Sequence, residues 1–222
     1  MDSVFISPKT MAKILLDLNC VSLKKEEPFR LPSGWASPGY IDCRKLISFP
    51  KIRREIVSSG LSLLKERGVL DGLTAVAGGE SSGIPLAAWI ADQLNLPLLY
   101  VRKRIVGRRQ IEGVLPKDGK VLLVDDLMAA GTSKANFLRC LKDAGVKVQD
   151  IFVIFDYATF PTESLLKPYE VSIHSLTTWR DIFSLAQENA MFDQASLDDL
   201  YLFLENTSSW SRDHGGISTL SA

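Results

Sequence analysis

Two adjacent aspartates, Asp125 and Asp126, stand where the apolar run Val121, Leu122, Leu123, Val124 stops, and Ala129, Ala130, Gly131, Thr132 and Ser133 follow closely. These residue types divide the chemistry between them. Carboxylates repel phosphate and suit sugar hydroxyls or a metal. A loop of small and hydroxyl residues at a helix start suits a phosphate, because its unpaired N–H groups and the helix dipole both favour an anion. The stretch 120–134, KVLLVDDLMAAGTSK, therefore reads as strand, acidic pair, anion loop and helix start, a mononucleotide-type site. A plain strand-loop-helix joint with solvated aspartates is the other reading. No GxxxxGK[ST] loop and no dinucleotide fingerprint occurs. Two neighbouring like charges also predict that neutralising both aspartates leaves stability unchanged or raises it.

The elements that must position this site follow from pattern. The β-branched run 121–124 suits a strand buried on both faces, and from Lys134 the spacing of Phe137, Leu138 and Leu141 is helical to near Gly145. Ser7 and Pro8 start an earlier helix with an N-cap and a first-turn proline. Residues 26–44 carry too many turn formers for a helix and alternate like short edge strands, which also suits a surface hairpin. Pro50 opens a second helix. A short strand, 74–77, runs into Gly78, Gly79, Glu80, Ser81, Ser82 and Gly83. Paired glycines there allow positive φ and close approach of a ligand, or a simple turn. After the strand 96–101 come Arg102, Lys103, Arg104, Arg108 and Arg109, with Gly107 among them, before Gln110, Ile111, Glu112 and Gly113 close the loop. A basic cluster suits a polyanion or a solvated face. Further strands are expected at 148–155 and 171–176. His174, alone in an alternating strand, reads as a packed or hydrogen-bonded residue. A capping box at Ser196 to Asp199 precedes a last helix to Glu205. Strands alternating with helices predict an α/β fold, a mostly parallel sheet flanked by helices with ligands at the strand C-termini.

Composition narrows the class. The 222 residues, 46% of them hydrophobic, suffice for one sizeable core. Lys plus Arg and Asp plus Glu number 26 each, so no overall field invites nucleic acid or a membrane. Three scattered cysteines, Cys20, Cys43 and Cys140, form no CxxC and fit a reduced, cytoplasmic setting. No signal peptide or membrane-spanning stretch is evident. One domain is expected over 1–205, its hood from 1–48 and C-terminal elements. The Ser- and Gly-rich tail 206–222 reads as disordered.

The stretch 120–134 resembles the phosphoribosyl diphosphate (PRPP) motif of type I phosphoribosyltransferases, and FRLPSGWASPGYIDCRKLISFP resembles the N-terminal segment of the orotate phosphoribosyltransferases. The resemblance covers residues 8 to about 205. It implies a small hood subdomain over the base, with Ser33, Gly34, Tyr40 and Asp42 near the orotate pocket. Asp125 and Asp126 would hold the ribose hydroxyls, and Ala129, Ala130, Gly131, Thr132 and Ser133 the 5-phosphate. Gly79, Glu80 and Ser81 would face the pyrophosphate. Arg102, Lys103, Arg108 and Arg109 would belong to a catalytic loop that enters the neighbouring subunit's site in a homodimer. Magnesium (Mg2+) would be carried by PRPP, with no direct protein ligand. Three departures stand out. Pro32 replaces a base-contacting lysine, Ala129 replaces a threonine or serine, and the loop is about three residues short and lacks its second lysine and its histidine. A regulatory paralogue that binds PRPP without turnover, or a transferase for another base, are the alternative readings.

Overall fold

A computed structural model describes residues 6–219 apart from 25, 107, 108 and 118; the expected loop residues Gly107 and Arg108 thus lie outside the described residues. The chain opens with α1 (Pro8–Asp17), capped by the Ser7 side chain on the Thr10 amide, as its sequence predicts. Four short strands follow: β1 (Val21–Leu23), β2 (Phe29–Arg30), β3 (Ala36–Ser37) and β4 (Gly39–Ile41), paired β1 with β4 and β2 with β3. After a 3-10 turn, Cys43–Ser48, come α2 (Pro50–Glu66), β5 (Leu73–Gly79), α3 (Gly83–Leu94), β6 (Leu98–Val106) and β7 (Arg109–Glu112). Then follow β8 (Lys120–Met128), α4 (Thr132–Asp143), β9 (Lys147–Asp156), α5 (Glu163–Leu166), β10 (Ser172–Thr178), α6 (Trp179–Glu188), α7 (Gln194–Glu205) and α8 (Thr207–Asp213).

The main sheet has the order β10-β9-β8-β5-β6-β7; all pairs are parallel except β6 with β7. This is the expected α/β sheet. Alternation along its strands sorts the core onto two faces. Ala75, Ala77, Val121, Leu123, Ile151 and Val153 pack towards Phe137, Leu138 and Leu141 of α4. Val76, Leu122, Val124, Phe152 and Ile154 pack with Ile56 of α2 and Leu86 and Ile90 of α3. Because period 2 sends successive side chains to opposite faces, a strand between two helix layers must be apolar throughout.

Several expectations are corrected. The aspartates do not end their strand: β8 runs on to Met128, paired with β9 as far as Asp156. Gly79 lies within β5, and neither Gly78 nor Gly79 has positive φ. Their missing side chains make room instead. A Cβ at Gly79 would sit 2.5 Å from the Phe137 ring, and one at Gly78 2.8 Å from the Ile84 backbone. The basic cluster does not leave the sheet at residue 101, because β6 continues to Val106 and pairs back on β7. The cap of α7 is Asp193, whose carboxylate accepts the Ser196 amide, so Ser196 sits one turn inside. The tail is the largest correction. Residues 207–213 form α8, with Thr207, Trp210 and Ser211 buried, because the one aromatic and its neighbours cover the hood and α7.

His174 is held as expected. Arg67 lies 3.0 Å from its Nδ1, and its Nε2 meets Asp150 at 2.8 Å, which also pairs with Lys120 at 3.1 Å. Cys20 and Cys43 are buried free thiols. Among the described residues no helix is long and apolar enough to cross a membrane.

One close contact makes a test of the packing. Gly60 in α2 lies against the buried Phe152 ring, where a Cβ would come within 2.5 Å. Alanine in a helix interior usually stabilises, but here the overpacking dominates. Gly60→Ala should lower stability by about 1–3 kcal/mol in urea unfolding.

Candidate active site

Strand order decides where a ligand can sit. From β5 the chain turns through α3 to β6 on one side; from β8 it turns through α4 to β9 on the other. The crevice between β5 and β8 is the switch point, and loops diverging there leave room beyond the strand C-termini. A cleft of about 220 Å³ occupies it, lined by Glu80 and Ser82, by Asp125, Asp126 and residues 129–134, and from the hood by Leu31, Pro32, Ser33, Tyr40 and Arg44.

The two aspartates are not equivalent. Asp125 continues the α4-facing series 121, 123, and meets α4: Lys134 donates to its Oδ2 at 2.5 Å, with both side chains 7% exposed. Lys134 also donates to the Leu127 carbonyl. Asp126 continues the other series and faces Cys43, Arg44 and Ser82. Burial, and then the neighbouring charge of Asp125, push its carboxyl up to about 7, although Lys134 pulls it down. The loop between them and α4 turns at Gly131, which has φ +82° and caps the helix. Thr132 and Ser133 are exposed at the first turn, where helix amides have no partner in the preceding chain.

Of the expected site residues, the structure brings together Asp125, Asp126, Ala129, Ala130, Gly131, Thr132, Ser133, Glu80, Lys103, Ser33 and Tyr40. Glu80 accepts the Lys103 amide at 2.7 Å, tying the β5 loop to β6. The others lie aside. Ser81 lines an adjoining, mostly apolar pocket of about 200 Å³ with Arg53 and Trp89. Asp42 accepts from Arg44 Nε at 2.7 Å, and Arg44 Nη2 donates to the Tyr40 hydroxyl at 3.1 Å. Gly34 bends the hood turn with φ +90°. Arg102 pairs with Glu112 at 3.1 Å on the hairpin, and Arg109 lines a groove beside Cys140 and Asp143. Sequence reasoning missed Lys134, Arg44 and Tyr157. Lys134 had a signal: it is four residues before Leu138 and seven before Leu141, on the buried helix face.

The buried pair changes what neutralising the aspartates should do. Removing both charges strands the Lys134 ammonium, so the double substitution is not the benign change the sequence suggested. Lys134→Met should cost about 3–5 kcal/mol in chemical denaturation, since it leaves Asp125 buried and unpaired. Adding Asp125→Leu should recover most of that loss. Asp126 alone behaves oppositely. Its carboxyl titrates at 3.8 ordinarily and at about 7 in the fold, so the fold keeps a proton that the unfolded chain releases. Its contribution favours the fold fully below the unfolded value and is lost as pH rises through the folded one. Asp126→Asn should therefore be more stable than the parent above pH about 7, the difference vanishing towards pH about 4 in paired melts.

Residues 71–179 match the phosphoribosyl transferase domain family. An orotate phosphoribosyltransferase of Sinorhizobium fredii is 39% identical over 222 residues, covering 98% of this chain and 95% of that one. The crystal structure of an orotate phosphoribosyltransferase from Aeropyrum pernix superposes with TM-score 0.68 at 30% identity, over 81% of this chain and 99% of that one. Leishmania donovani UMP synthase gives TM-score 0.75 at 27% identity over 89% of this chain, which spans 42% of that longer one. With the acidic pair, the anion loop and the hood meeting in one cleft, the chain belongs to the orotate phosphoribosyltransferase family.

Proposed function

We propose that this cleft transfers the phosphoribosyl group of PRPP to orotate, giving orotidine 5'-monophosphate and pyrophosphate, in pyrimidine synthesis in the cytoplasm. One observation carries the reading: the acidic pair and anion loop of β8 and α4 face the 80–82 loop across the switch point, beneath the hood turn. In the reaction the bond from the anomeric carbon to the pyrophosphate oxygen breaks, its electron pair leaving with pyrophosphate, and a ring nitrogen of orotate bonds to that carbon while its proton is released to the departing pyrophosphate or water. The sugar becomes oxocarbenium-like, so no protein nucleophile is required, and catalysis lies in placement and charge.

The residues divide that work. Asp126, the carboxylate not committed to Lys134, holds ribose hydroxyls and favours the positive sugar. Asp125 borders it as a fixed wall. The amides of 129–133 and the hydroxyls of Thr132 and Ser133 bind the 5-phosphate. Ala129 lacks the hydroxyl common in the family, a loss of roughly 0.5–1.5 kcal/mol for one neutral hydrogen bond. Lys103 and the 80–82 loop meet the pyrophosphate. Ser33 and Tyr40 border the base.

Magnesium, when bound with PRPP, adds positive charge to the leaving group. Glu80 and Asp126 are hard oxygen donors of the kind that suits its water shell, and among the described residues no three acidic, histidine or cysteine side chains cluster to hold it by themselves.

A homodimer with shared sites completes the reading. Arg102 and Arg109 do not line their own chain's cleft, and β6 and β7, which carry them, lie at the sheet edge. Arginine keeps its charge and grips phosphate with two parallel hydrogen bonds, so Arg108 and Arg109 replace the missing lysine and histidine at a partner's pyrophosphate.

Purified protein with PRPP, magnesium and a panel of bases should make product from orotate; preference for another base, or binding of both substrates with no product, overturns the reading. Arg108→Ala plus Arg109→Ala should slow turnover at least tenfold, about 1.4 kcal/mol of transition-state stabilisation, with PRPP affinity changing less. Mixing that variant with Asp126→Asn chains should restore activity through hybrid dimers. No recovery in a mixture shown to exchange subunits means that each chain completes its own site.

A further inference from the structure

The hood turn that borders the cleft is not self-supporting. Its strands β2 and β3 have two residues each, and a hairpin so small is unstable alone. Within the turn, Leu31 N–H donates to the Trp35 carbonyl and Gly34 N–H to the Leu31 carbonyl, both at 2.9 Å. The outward groups of the turn are taken up by the C-terminal segment. Ile217 N–H donates to the Gly34 carbonyl at 3.1 Å, and Ala36 N–H to the Ser211 hydroxyl at 2.9 Å. Ser211, fully buried, donates its hydroxyl hydrogen bond to the Ile217 carbonyl at 2.6 Å and accepts the Gly216 amide on its carbonyl at 2.7 Å. A Cβ at Gly216 would fall 2.4 Å from the Ala36 nitrogen, so the two segments lie in direct backbone contact.

The segment is itself anchored away from the hood. Trp210 Nε1 donates to Asp199 of α7 at 2.7 Å, and Thr207 to the Phe203 carbonyl at 2.8 Å. A second route joins the same points through rings in edge contact: Trp35 to Phe160 at 5.1 Å, Phe160 to Phe203 at 5.9 Å, and Phe203 to Trp210 at 5.5 Å. Leu31, Pro32 and Ser33, which this frame supports, line the base side of the cleft, whereas the phosphate loop 129–133 has no hydrogen bond to residues 207–217 among those described.

We propose that the C-terminal segment 207–217 is a positioning element for the base subsite, holding the hood turn at the spacing that orotate needs while leaving the PRPP subsite to the sheet. Resting as it does on the orotate reading, this calls for an experiment in which the two can fail separately. Chains ending at Gly215, which keep α8 whole and lose Ile217, are compared with the parent, with Ser211→Ala and with the conservative Ile217→Val. KM for orotate should rise about three- to tenfold in the truncated chain and in Ser211→Ala, the loss expected of one or two neutral hydrogen bonds. KM for PRPP and kcat should stay within about twofold, and Ile217→Val should match the parent. Hydrogen exchange should show the amides of 34 and 36 losing protection in the same two variants. An orotate KM like the parent's, or a parallel rise of both KM values with a fall in kcat, overturns the positioning role. If the truncated chain fails to fold, Ser211→Ala carries the comparison. If the parent makes no product from orotate, the orotate reading fails. The exchange data then decide the segment's role alone, unchanged protection at 34 and 36 overturning it.

Discussion

The buried ion pair between Lys134 and Asp125 is the constraint around which the cleft is arranged. It joins the C-terminal half of β8 to the first turn of α4, and so fixes the loop that lies between them. A carboxylate with 7% exposure costs several kcal/mol to hold charged in isolation, and a lysine likewise; together, with the Leu127 carbonyl as a further acceptor, each satisfies the other. Nearby glycines make this arrangement sterically possible. A Cβ at Gly83 would lie 2.9 Å from Asp125 Oδ1, and one at Gly79 3.2 Å from Oδ2. Those glycines serve packing around a carboxylate more than freedom of the chain.

The pair also turns two chemically identical side chains into two different tools. With Asp125 neutralised from below, the charge next to Asp126 is softened, yet burial still raises Asp126 well above the ordinary carboxylate range. Such a carboxyl is stabilised as an anion by whatever positive charge arrives. In the proposed reaction that charge is the sugar itself as its bond to pyrophosphate breaks, which is the condition for a group that contributes more in the transition state than in the ground state.

Much of this was legible in the residues, and the failures share a cause. The parallel sheet could be read from 121–124 because a strand covered on both faces is apolar at every position. The loop and helix start after β8 could be read because small residues and hydroxyls precede a helical spacing, and Gly131 does cap α4. What could not be read was anything set by a partner distant in sequence. Asp125 and Asp126 look alike until β8 is placed between two helix layers. The pairing of Arg102 with Glu112 likewise depends on the β6–β7 hairpin that brings them opposite one another. The tail looked disordered because it is rich in Ser and Gly, but Trp210 and Ser211 find their partners at Asp199 and Ala36. Composition reports what a segment could bury by itself, not what another segment offers it.

The distribution of charge explains how a chain of zero net charge can handle a polyanion. Of the three cations lining the cleft among the described residues, Lys134 is committed to Asp125, Arg44 is shared with Asp42 and Tyr40, and Lys103 stands near the 80–82 loop. In the proposed reading the 5-phosphate would then rest on backbone amides, whose dipoles are fixed in place and need no counter-charge elsewhere in the fold. A loop of such amides would hold the 5-phosphate by shape and orientation in the proposed reaction. The additional positive charge needed at the moment of cleavage in the proposed reaction is better carried by groups outside the chain's own cleft, as Arg102 and Arg109 are. A cleft that held all its cations permanently would bind reactant and product alike, and uniform binding of that kind does nothing for turnover.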